Sequence, residues 1–154
     1  MTTGPGRPIA DGPDEAARWR AGRREAAEAH AEALARSQRA ASTRARAMLA
    51  ELVARAMVEG PPPEPLRARS SDGRTRYRTP LQGWYLRQDE TLAVDTDGEY
   101  YVLTAPASLA ARFTGVQPTP QDPPLILGAG GRDGESLDLD VAIARVLARG
   151  TGSR

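Results

Sequence analysis

Five arginines stand in alternation on either side of an Asp-Gly pair: Arg67, Arg69, then Asp72-Gly73, then Arg74, Arg76 and Arg78. Asp-Gly suits a tight hairpin turn, because its glycine tolerates positive φ. A two-residue turn there pairs Ser71 with Arg74, Arg69 with Arg76 and Arg67 with Arg78. Side chains alternate faces along a strand, so all five arginines fall on one face. Guanidinium groups bind phosphate and carboxylate through two parallel hydrogen bonds. Like charges set directly opposite one another are destabilising, so such a face suits an anion lying over it. Nucleic-acid phosphate and an acidic protein surface are the two candidates. The plain reading is a solvated face, with arginine stems lying over apolar surface and their heads in water.

Other residues capable of chemistry lack the company they need. Leu92-Ala93-Val94-Asp95-Thr96-Asp97-Gly98 resembles the first motif of the haloacid-dehalogenase-type phosphatases. That resemblance implies Asp95 as nucleophile and Asp97 as acid/base. The family also requires a lysine, absent from this chain, and a large α/β domain that the length does not accommodate. The Asp-Gly is read instead as a second hairpin turn. As a calcium loop the segment fails too, with Tyr100 where glycine is needed and no glutamate closing it. Gly128–Gly134 follows an apolar run and precedes a helix, but fits neither glycine fingerprint of phosphate-binding loops and reads as a plain loop. Asp138 and Asp140 point to different faces of a helix. His30 is the only histidine and has no second imidazole or thiolate with which to hold a metal. No catalytic residue, cofactor-binding residue or metal ligand is assigned, and the chain reads as a non-enzyme.

Composition narrows the classes further. All 21 basic residues are arginine and there is no cysteine, which excludes disulfides, thiol chemistry and lysine chemistry. Net charge is +1, spread as +2 over residues 1–60, +2 over 61–90 and −3 over 91–154. A general nucleic-acid coater would be strongly basic throughout, so any basic function is local. No apolar run reaches the ~20 residues needed to span a bilayer, and Met1–Pro13 has no signal-type apolar stretch. A cytoplasmic protein without a membrane partner is expected.

These residues must be positioned by two unlike halves joined at Gly60-Pro61-Pro62-Pro63-Glu64-Pro65. Consecutive prolines remove donors and fix φ, so neither a helix nor a central strand crosses them. Before this hinge the spacing predicts one long helix over about 14–59, with Asp14 and Glu15 at its positive end. Unbroken, it would be ~70 Å long at about 1.5 Å per residue. Met48, Leu49, Leu52, Val53, Ala56 and Met57 form an amphipathic face that should pack on the second half. Earlier in the arm only Trp19 and Leu34 are large and apolar. A 4-3 stripe nonetheless runs through Ala27, Ala31, Leu34, Gln38, Ala41, Ala45, Met48 and Leu52. That stripe suits self-association or a protein partner, with Trp19 and Leu34 as contacts. The alternative is a solvated single helix held by pairs such as Arg24–Glu28 and Glu32–Arg36. Arg36, Arg39, Arg44 and Arg46 could extend a basic track.

Beyond the hinge the expectation is a small antiparallel β-meander over 66–150. Strands are drawn at 66–71, 74–79, 83–88, 91–96, 99–104, 111–117 and 124–128. A two-residue turn at Asp97-Gly98 would pair Val94 with Tyr101 and Leu92 with Leu103, on one face with Trp84 and Leu86. A closing helix over about 138–149 is capped by Asp138, buries Leu139, Ala142, Ile143, Val146 and Leu147, and stops at Gly150. Residues 1–13 and 151–154 are expected to be disordered tails. The fold class is thus α+β: a helical arm, a Pro-rich hinge, and a β-rich domain closed by a C-terminal helix. The expected role is a non-catalytic interaction or adaptor-type protein. The alternative is a nucleic-acid-binding accessory protein using the Arg-rich hairpin.

Overall fold

The computed structural model describes residues 12–128 and 136–151. Both expected tails, apart from Gly12, Pro13 and Thr151, lie outside them, as does Ala129–Gly134 of the glycine-rich loop. The chain is α+β. Helix α1 runs Pro13–Glu59, followed by strands β1 (Glu64–Ser70), β2 (Arg76–Tyr85), β3 (Leu92–Asp95), β4 (Tyr100–Val102) and β5 (Thr104–Ala105). Helix α2 (Leu109–Thr114), strands β6 (Ile126–Leu127) and β7 (Leu137–Asp138), and helix α3 (Leu139–Thr151) complete it. The main sheet has the order β4-β3-β2-β1-β5, antiparallel except for the β1–β5 pair. None of the described helices is long and apolar enough to cross a membrane.

Two compact units divide at Arg39/Ala40, not at the Pro-rich segment. Residues 40–59 belong with the β-rich unit because Ala45, Leu49, Leu52 and Ala56 are buried in its core. Spacings of four, three and four put these residues on one helix face. Met48 and Val53 pack against the same core, whereas Met57 is exposed.

The Pro-rich segment is held firmly within that unit. Gly60 takes φ 80° and its N–H reaches the Ala56 carbonyl, which ends α1. The Trp84 indole N–H donates to the Pro61 carbonyl at 2.8 Å. Gly150 was expected to end α3, yet the helix continues to Thr151. Its glycine serves close approach instead: a Cβ there would sit 2.4 Å from the Gly60 carbonyl carbon and oxygen. In α3, Leu139, Ala142 and Val146 are buried, with Ile143 and Leu147 partly so. Asp138, expected as the cap, lies in β7 opposite Ile126.

The sheet buries side chains on both faces. Trp84, Leu86, Leu92, Val94 and Tyr100 share a core with the end of α1 and with α3. Leu66, Ala68, Tyr85, Ala93, Tyr101 and Leu103 form a second core. This second core corrects the expected pairing of the β3–β4 hairpin. Leu92 pairs with Val102, Ala93 with Tyr101 and Val94 with Tyr100, one residue away from the expectation. The reason is the turn. Asp95 accepts the Asp97 and Glu99 N–H groups at 3.0 and 2.9 Å, and Gly98 takes φ 82°. The Asp95 N–H then pairs with the Glu99 carbonyl, closing a three-residue loop. A one-residue slip changes the face of every side chain beyond it, so Tyr101 and Leu103 join the second core.

Two further strand expectations are corrected. The runs drawn at 74–79 and 83–88 are one strand, β2, with an irregularity opposite Pro65/Arg67. There Pro80 lacks a donor, and the Thr79 hydroxyl donates to the Leu66 carbonyl and accepts from Leu81 N–H. The segment drawn as a strand at 111–117 contains most of α2 instead. Ser108 caps this helix by accepting from Ala111 N–H, and Gly115, at φ 74°, ends it.

Candidate functional site: an arginine-lined sheet face and an exposed helix

The arginine hairpin has the expected register. Arg67 pairs with Arg78, Ala68 with Tyr77 and Arg69 with Arg76. The turn is longer than two residues: Gly73, at φ 74°, donates its N–H to the Ser70 carbonyl, and Ser70 N–H reaches Thr75. Asp72 organises it, accepting from the Ser70 hydroxyl at 2.5 Å and from Arg74 N–H at 3.0 Å. These bonds, the Ser70 one foremost, hold the Asp72 carboxyl below its ordinary value. Arg74 therefore lies in the turn, outside the strand, and is exposed.

Arg67, Arg69, Arg76 and Arg78 share one face, and Ala68 and Tyr77 are buried on the other. Tyr77 is anchored there, its hydroxyl accepting from Ser108 N–H at 2.9 Å. Arg76 forms an ion pair with Glu90, a residue in the turn before β3 with φ 61°. Among the described residues, no acid lies within ion-pair distance of Arg67, Arg69, Arg74 or Arg78. Sequence reasoning missed Glu90 because nothing local links it to Arg76. The basic track expected from the helix is shortened, because Arg46 pairs with Glu99 at 3.6 Å and with Asp122.

The arm presents a different surface. No described residue from 12 to 40 is buried. Trp19 is 63% exposed and Leu34 53%. At about 100° per residue they stand roughly 60° apart around the helix, on one broad face. Arg23 lies over the Trp19 ring, 4.9 Å from its centre. The pairs expected to hold a solvated helix, Arg24–Glu28 and Glu32–Arg36, are not within ion-pair distance; among the described residues the i,i+4 ion pair of α1 is Arg55–Glu59. His30 is exposed. Sequence reasoning also missed an apolar pair on α2, Leu109 and Phe113, which are 74% and 79% exposed. The misread strand concealed their i,i+4 spacing.

The phosphatase-like segment is occupied by structure. Asp95 is 6% exposed, and its carboxylate takes two backbone N–H groups and the Tyr101 hydroxyl. No cluster of potential metal ligands occurs among the described residues. An open cleft is lined by Glu64, Arg87, Asp89, Glu90, Arg145 and Arg149 among others. Arg87 pairs with Asp89 at 3.7 Å, and Arg149 donates to the Tyr85 carbonyl at 3.1 Å. No protein-family model, curated protein or solved structure matches this chain.

Proposed function

We propose that this chain is a non-catalytic interaction protein of the cytoplasm, and that the arm, residues 13–39, associates with a second copy of itself. One observation carries the reading: Trp19 and Leu34 stand exposed on one face of a helix segment that has no buried residue. In proteins most helical stability comes from tertiary packing of an amphipathic face. A helix that is polar around most of its surface needs intrahelical pairs or a covering partner. The arm lacks the expected pairs, which supports the partner. An aromatic side chain buries about 150–250 Å². At about 25 cal/mol per Å², covering the exposed parts of Trp19 and Leu34 contributes on the order of 4 kcal/mol per protomer. Ala27 and Ala31 beside them let a second helix approach closely. The β-rich unit, with its own core, then serves as the body that the arm brings together.

Hydrogen exchange across a protein concentration series tests the reading. Arm amides should gain protection as concentration rises, while those of β2 and β3 stay constant. Arm protection that is independent of concentration would refute self-association.

A further inference from the structure

We propose that the arginine-lined face of the β1–β2 hairpin docks on the phosphate backbone of duplex nucleic acid. The two ends of this sheet face differ sharply. Alternation along β1 puts Pro65, Arg67 and Arg69 on one face, their partners Gln82, Arg78 and Arg76 lie with them across the irregularity, and Trp84, two residues beyond Gln82, continues that face. Trp84 lies in the core beneath α1 and α3, 3% exposed. No residue of β1 belongs to that core. The helical layer therefore covers one end of the face and leaves the arginine end open, with Arg67, Arg76 and Arg78 exposed and Arg69 half-buried.

Charge decides what fits there. Two arginine pairs sit directly opposite one another, an arrangement that is destabilising when left uncompensated. Only Arg76 has a described acidic neighbour, Glu90. Among the described residues, Arg67, Arg69 and Arg78 have no ion-pair partner, and their guanidinium forks match phosphate oxygens bidentately. Residues two apart on a strand are separated by about 6.7 Å, so the forks form a grid of positive charge, not a single point. Among the described residues, the open end of the face exposes no aromatic side chain on which unstacked bases could lie, since Trp84 is covered in the core and Tyr77 is buried on the reverse. Recognition through phosphates without base readout follows, hence a duplex bound with little sequence preference. Glu90 competes with phosphate for Arg76 and holds affinity down.

The test is fluorescence anisotropy of a labelled DNA duplex with the full chain across a salt series. Three variants accompany it: Arg67→Gln/Arg69→Gln/Arg78→Gln, Glu90→Gln, and Trp19→Ala/Leu34→Ala. Three phosphate contacts give a slope of log K against log salt of about −3. The triple variant should bind at least about tenfold more weakly with a flatter slope, since each lost phosphate contact removes about one from it. Glu90→Gln frees a fourth guanidinium, so it should bind more tightly and steepen the slope. Because removing an acid does not delete a binding group, a gain there cannot be a folding defect. The arm variant should retain the slope, which separates this surface from self-association. Absence of binding at low salt, or binding unchanged in both charge variants, would overturn the proposal. So would equal displacement by a poly-glutamate peptide at matched charge, which would reassign the face to acidic protein.

Discussion

The hydroxyl of Tyr101 donates to the carboxylate of Asp95 across 3.0 Å, and both side chains are buried. This bond joins the one-residue register shift of the β3–β4 hairpin to the loop that causes it. Asp95 accepts the loop N–H groups with one oxygen and the Tyr101 hydroxyl with the other. The carboxylate that resembles a phosphatase nucleophile is thus a turn organiser.

Removing that hydroxyl leaves a buried carboxylate oxygen without its donor. Tyr101→Phe should therefore lower stability by about 1.5–3 kcal/mol, the range for a hydrogen bond to a charged group. Urea unfolding measures it. A change of a few tenths would mean that water replaces the hydroxyl.

Tyr101 and its neighbour Tyr100 give an alkaline limit to stability. Burial pushes the Tyr100 phenol up to about 12. Burial first, and then the bond to Asp95, pushes Tyr101 up to about 12. An unfolded tyrosine titrates near 10, so the folded state holds these protons more tightly. Their contribution is complete below about pH 10 and is lost as pH rises through about 12. The urea midpoint should therefore fall over that window, and fall less in Tyr101→Phe. A midpoint unchanged up to pH 12 would contradict the burial of both rings.

Gly150 meets the Gly60–Pro61 backbone, where no side chain can yield. Gly150→Ala would place a methyl 2.4 Å from the Gly60 carbonyl. Ordinarily alanine improves a helix by about 1 kcal/mol over glycine. Here overpacking should reverse the sign and destabilise by about 1–3 kcal/mol. Thermal unfolding of the variant reads the sign directly.

How much of this was legible in the sequence depended on whether the decisive contact was local. The first hairpin's register follows from arginine–apolar alternation around Asp72-Gly73, even though its turn is longer than two residues. In the second, the Asp95 side chain takes over the turn, and period-2 patterning cannot detect a slip caused by a cap. Helix α2 was hidden because Leu109–Thr114 is too short to show a period, and Ser108 is its main signal. The arginines of the candidate face were found by pattern, but the Arg76–Glu90 pair is a tertiary contact. The burial of Ala45–Ala56 was legible as an amphipathic face; the division of the chain at Arg39/Ala40 follows from where that burial begins.

The exposed arm should be dispensable for the stability of the β-rich unit. Trp19→Ala and Leu34→Ala should each change the main unfolding transition by less than about 0.5 kcal/mol, as for other exposed positions. A larger loss in urea unfolding would mean that the arm contributes to the stability of that unit.

Sedimentation equilibrium of the full chain beside Trp19→Ala/Leu34→Ala decides whether the arm self-associates. Self-association gives a mass at least twice that of the 16.5 kDa chain, falling to the single-chain mass in the double variant while the β-rich unit stays folded. A full chain that sediments as a monomer at every concentration, or a double variant whose mass is unchanged, would contradict it.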